Sequence, residues 1–141
     1  MKRKTIEHQN YRLLESELYF YRDTKRELEL MELDIVELGS GVDTTIKTAG
    51  IGRPTEAKAI RLLSSKELIE VRRRADAIEY MLEVLKNCEE PAKLKLIEMK
   101  YFERKYTDVG ILESLNISKK TYYRWKREAI LLVANKLGFK V

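Results

Sequence analysis

Near the carboxyl end of this chain, Lys120, Tyr123, Arg124 and Arg127 recur at i, i+3, i+4 and i+7. If residues from 119 onward are helical, that spacing puts all four on one side of the helix. Lys and Arg neutralise phosphates and release counterions, and Arg also forks onto the edge of guanine. A tyrosine donates its hydroxyl to a phosphate or lies against a thymine methyl. The chemistry on offer is that of binding a polyanion. Its plain alternative is an amphipathic helix whose charged side is merely solvated.

The surrounding residues say how such a side would be presented. Tyr122, Trp125, Ala129, Leu132 and Val133 gather on the opposite, apolar side. Preceding helices must cover them, through Ile111, Leu112, Leu115 and Ile117. Ser118 is suited to cap the helix, its hydroxyl accepting from a first-turn N–H. Asn116 tolerates the left-handed conformation of a tight turn. The basic residues stop after two turns, where Ile130 and Leu131 follow on or near the same face. A basic stripe confined to the first turns of a helix, behind a tight turn, has the geometry of a recognition helix entering the major groove.

Charge distribution supports that reading. The net charge of the 141 residues is +5. Residues 1–90 hold 16 Lys/Arg against 18 Asp/Glu, a net −2, whereas residues 91–141 hold 12 against 5, a net +7. A polyanion would therefore bind the last third.

The rest of the chain reads as helices with few interruptions. From about Thr5 to Leu38 there is neither Gly nor Pro, and Tyr11, Leu14, Leu18, Tyr21, Leu28 and Ile35 follow a seven-residue spacing, with Lys25 and Glu32 at two seam positions. This predicts an imperfect coiled coil or one arm of a long helical hairpin. Residues 39–54 hold four of the six glycines and read as a flexible linker. They lack the Gly-Lys-Ser/Thr of a phosphate loop. A second long helix is predicted from about Thr55 to Cys88, with Ile60, Val71, Ile78, Met81 and Leu85 as its apolar stripe. Arg72, Arg73 and Arg74 point three ways around it and are expected to pair with Glu67, Glu70 and Asp76. Pro91 then opens the first of three further helices. The expected fold is all-α. Residues 1–90 form a long-helix interaction or oligomerisation region, and residues 91–141 a three-helix helix-turn-helix domain.

Other functions find little support. The one histidine, His8, has no acid or cysteine constellation around it, and the acidic residues Glu15 and Glu17 read as a solvated face rather than an acid–base pair. Cys88 has no cysteine partner, which fits a reducing cytoplasm. No metal-ligand spacing occurs, so no cofactor and no enzymatic activity are expected. The start, "MKRKTIEHQN", is basic without an apolar core behind it, and no apolar run reaches the roughly 18 residues of a membrane span. The expectation is a cytoplasmic protein of a bacterial host cell.

The segment "LKLIEMKYFERKYTDVGILESLNISKKTYYRWKREAI" resembles region 4 of bacterial sigma factors. Taken whole, the chain resembles the RinA/ArpU-type phage transcriptional regulators. That resemblance rests on "LESELYFYRDTKREL", the Gly-rich spacer before "PTEAKAIRLL", "MKYFERK", "NISKKTYYRWKR" and the closing "KLG". It implies a DNA-binding regulator that activates late phage genes. Lys119, Lys120, Tyr123, Arg124 and Arg127 fall where such modules touch DNA, and Thr121 falls where a first-turn side chain reaches a phosphate. Leu112 and Tyr122 are bulkier than the residues usual at their places. The implied partners are double-stranded DNA, host RNA polymerase and a second copy of the chain. A phage small terminase subunit, which also joins a helix-turn-helix to oligomerising helices, and a helical interaction module that binds no DNA are the competing readings.

Overall fold

The structure, a computed structural model, describes residues 6–34 and 54–139, with residues 54–65 described by backbone alone. Every regular element among the described residues is helical. They are α1 (His8–Tyr19), α2 (residues 21–34), α3 (Pro54–Lys86), α4 (Pro91–Ile97) running into a π-helical turn (Glu98–Glu103), α5 (Asp108–Leu115) and α6 (Lys119–Leu137). The all-α class is as expected. Of the linker placed at residues 39–54, only Pro54 is described, as the first residue of α3. Ile35 and the Ile60 side chain also lie outside the described residues.

The single helix expected from Thr5 to Leu38 is interrupted. α1 ends at Tyr19, and Phe20 leaves the helical region at φ −97° and ψ 9°. Beyond the break, Tyr21 stacks on Phe102 with ring centroids 5.4 Å apart, while Tyr19 meets Tyr101 edge-on at 4.8 Å. In an unbroken helix, residues two apart point roughly 200° away from each other. The interruption lets both rings reach adjacent residues of the π-helical turn. Neither Gly nor Pro marks the break, so periodicity could not reveal it.

Two compact units result, one of Met1–Arg22 with Arg74–Val141, the other of Asp23–Arg73. In the first, Leu14 and Leu18 of α1 are almost fully buried, together with Ile78 and Met81 of α3, Leu96 and Ile97 of α4, and Ile130 and Val133 of α6. The compact unit includes α1 and the end of α3 together with the helices that follow Pro91. The apolar positions of α1 serve the carboxyl-terminal helices. In the second unit, Val71 is buried, and Arg72 of α3 pairs with Glu32 of α2. Of the three consecutive arginines, Arg73 faces Glu70 at 3.8 Å as expected, and Arg74 reaches Glu17 of α1 at 3.2 Å.

Helix ends in the last third follow their local chemistry. Thr107 caps α5, accepting from the Gly110 N–H at 3.0 Å, and Asp108 adds a carboxylate to the positive end of the helix dipole. Asn116 ends α5 in the left-handed region at φ 54° and ψ 48°, and the Ile117 N–H closes on the Leu112 carbonyl at 3.1 Å. Ser118 then caps α6, its Oγ accepting from the Thr121 N–H at 3.1 Å. Gly138, at φ 82°, ends α6 with the Phe139 N–H on the Ala134 carbonyl at 2.9 Å.

The turn at Asn116 predicts an ordered pair of substitutions. Asn116→Ala should cost about 1 kcal/mol, since a plain side chain is strained in this region, while Asn116→Gly should stay within about 0.5 kcal/mol of wild type. Urea unfolding of both variants measures the difference.

Candidate nucleic-acid interface

The buried side of α6 is built from polar as well as apolar groups. Tyr122 is fully buried, and its hydroxyl donates to Asp108 Oδ1 at 2.6 Å. The same oxygen accepts from Lys100 Nζ at 2.7 Å. These bonds, from Lys100 first and then Tyr122, hold the Asp108 carboxyl below its usual range. Burial works to lower the Lys100 pKa, but its bonds with Asp108 and Tyr19 outweigh that and raise it. Burial, then Asp108, pushes the Tyr122 phenol up, so it stays a donor. A bulky tyrosine thus fits a core position because its polar tip has a partner.

A second carboxylate repeats the arrangement from α1. Glu15 Oε2 accepts the Tyr101 hydroxyl at 2.8 Å and faces Lys126 Nζ at 3.2 Å. Lys126 is only 7% exposed, and its ammonium lies 5.4 Å from the Tyr122 ring and 5.6 Å from the Tyr123 ring. Glu15 and Glu17, read from sequence as a solvated face, are instead structural ion-pair partners of Lys126 and Arg74. Lys126 was not distinguished from the other basic residues of its helix. One signal was available, since it stands four residues after Tyr122 and three before Ala129, in register with the apolar side. Its partner is 111 positions away and could not be read.

What remains exposed on α6 is a basic arc. Lys119, Lys120, Arg124 and Arg127 are exposed, Tyr123 is 43% exposed, and Thr121 is partly exposed. The structure therefore brings all six expected residues to the first three turns of α6. Ile130, which falls near the same face on a helical wheel, is buried and ends the arc. Ser118 donates its hydroxyl to Thr121 Oγ1 at 2.9 Å, which leaves the Thr121 proton to be donated elsewhere. Glu128 borders the arc between Lys93, at 2.9 Å, and Arg124, at 4.0 Å. Lys93 also lies 5.9 Å from the centre of the Trp125 ring.

An open groove of about 520 Å³ flanks the arc on its other border. Ile6, His8 and Tyr11 line one wall, Tyr123 and Arg127 the other, with Glu15 and Lys126 between them. Burial, then Glu15, pushes the Tyr11 phenol up to about 12. His8 opens α1 and stands in this groove.

Residues 39–134 match the family described as "Protein of unknown function (DUF1492)". The chain belongs to this family. The DUF1492 match takes in α3, α4, α5 and most of α6, including the whole basic arc, while α1 with Glu15 precedes it. No curated protein and no solved structure matches the chain. No described helix is long and apolar enough to cross a membrane.

Two predictions test these carboxylates. Glu15→Ala should cost about 2–3 kcal/mol by leaving Lys126 and Tyr101 without an acceptor, and adding Lys126→Met should recover part of it, read by urea unfolding. Asp108 loses its proton more readily folded than unfolded. Its contribution is therefore complete above the unfolded carboxyl value of about 4 and is lost as pH falls through the lower folded value. Unfolding across the acid range should show a shallower loss of stability for Asp108→Asn than for wild type.

Proposed function

We propose that this chain is a sequence-specific DNA-binding transcriptional regulator that activates phage or prophage late genes. The observation that carries the reading is the exposed basic arc on the first turns of α6, behind the tight turn at Asn116. In this reading α5 and α6 are the helix-turn-helix of a three-helix module resembling sigma region 4, and α6 enters the major groove. Lys120, Tyr123, Arg124 and Arg127 face base edges and adjoining phosphates. Lys119 and the Thr121 hydroxyl bind the backbone at the helix entry. Two copies of the chain act together, and the amino-terminal helices provide their pairing and a contact for RNA polymerase.

The stiffness of the support favours this reading over a merely solvated face. Both tyrosine–carboxylate–lysine clusters fix the rotation of α6 about its axis, so the arc is presented in one orientation. A groove-reading helix requires that, because a base contact tolerates little misalignment.

Selection of bound duplexes from a random library, with wild type and Arg124→Ala/Arg127→Ala, is the test. A single enriched motif, with affinity about 100-fold lower in the double variant, is the expected result. Lys119→Ala should weaken all duplexes alike and reduce the salt slope by about 1. A motif lying at a packaging site would replace the regulator by a terminase subunit. Equal, weak binding of wild type and variant without enrichment would overturn the DNA reading.

A further inference from the structure

The compact unit of residues 23–73 carries exposed apolar side chains. Among its described side chains only Val71 is buried, whereas Leu30 is 57% exposed, Leu33 58% and Ile69 64%. Pairing two-helix units into a four-helix arrangement is a common way to cover apolar sides left exposed. Arg72 ties α3 to Glu32, next to Leu33, and Ile69 lies one turn before Arg72, so the three exposed apolar residues belong to the same stretch of the unit.

We infer that this surface pairs two copies of the chain, with α2 of one copy antiparallel to α2 of the other about Leu30. The charge pattern of α2 identifies the occupant. Arg26, Leu30, Leu33 and Asp34 lie at i, i+4, i+7 and i+8 on one side of α2, and all four are exposed. A two-fold axis at Leu30 sets Arg26 of each copy opposite Asp34 of the other, because both stand four residues from the centre. Parallel alignment would set like charges against each other. The aliphatic stem of Arg26 then covers Leu33 across the interface. The face is complementary to itself in one direction only.

This deepens the two-copy part of the proposed function and does not depend on DNA binding. The full chain is weighed in solution without DNA, by sedimentation or light scattering, at micromolar concentrations. Wild type should have twice the mass of the 16.7 kDa chain. Leu30→Glu/Leu33→Glu should weaken pairing at least about 100-fold, with helical circular dichroism retained. Arg26→Asp and Asp34→Arg should each weaken it about tenfold, and the double exchange should restore it. A single-chain mass for wild type, a ring of many copies, or a double exchange no better than either single change would overturn the inference. A dimer that selects no DNA would leave it standing and remove the DNA reading alone.

Discussion

The orientation of α6 depends on one carboxylate oxygen, Oε2 of Glu15, which takes the Tyr101 hydroxyl at 2.8 Å and the Lys126 ammonium at 3.2 Å. A lysine that is only 7% exposed is tolerated only when a countercharge and hydrogen-bond partner meet its ammonium. Once Lys126 points inward, the 100° step of the helix leaves Lys120, Arg124 and Arg127 no choice but to point outward. The same oxygen joins three elements, since Glu15 is on α1, Tyr101 on the π-helical turn and Lys126 on α6.

Asp108 does the corresponding work from α5. One of its oxygens accepts from Tyr122 of α6 and from Lys100 of the π-helical turn. Two carboxylates, each serving one tyrosine and one lysine, thus grip α6 from two sides. Such clusters add less to net stability than apolar packing of similar size would, because each charge is partly stripped of water. Their consequence is directional. Apolar contacts tolerate sliding and rotation, whereas these bonds tolerate little of either.

The span shared with the DUF1492 family begins after α1, so it contains Tyr101 and Lys126 but not Glu15. The buried lysine of α6 is thereby completed by a residue outside the matched span. The groove beside Tyr123 and Arg127 has the same dual origin, with His8 and Tyr11 of α1 forming its other wall.

Much of this was legible from sequence because it is local. The absence of Gly and Pro, the apolar stripe of α3, the proline opening α4, the left-handed Asn116, the Ser118 cap and the basic side of α6 each follow from residues a few positions apart. The chemistry of the six expected surface residues depended only on their types and spacing. Contacts between distant residues decided the rest. The break at Phe20 exists because Tyr19 and Tyr21 both find rings on a turn some 80 residues later. Leu14 and Leu18 belong to the carboxyl-terminal core, although their heptad spacing suited a coiled coil equally well. A periodic pattern says that a face is covered, never by what. Glu15 and Lys126 look like any solvated acid and base until folding brings them to 3.2 Å. The sequence by itself determined which residues could bind a polyanion and where α4, α5 and α6 start, since those depend on side-chain chemistry and neighbouring backbone. Only the tertiary structure decided which charges are buried as braces and which are left to face outward, because burial depends on what packs above a residue.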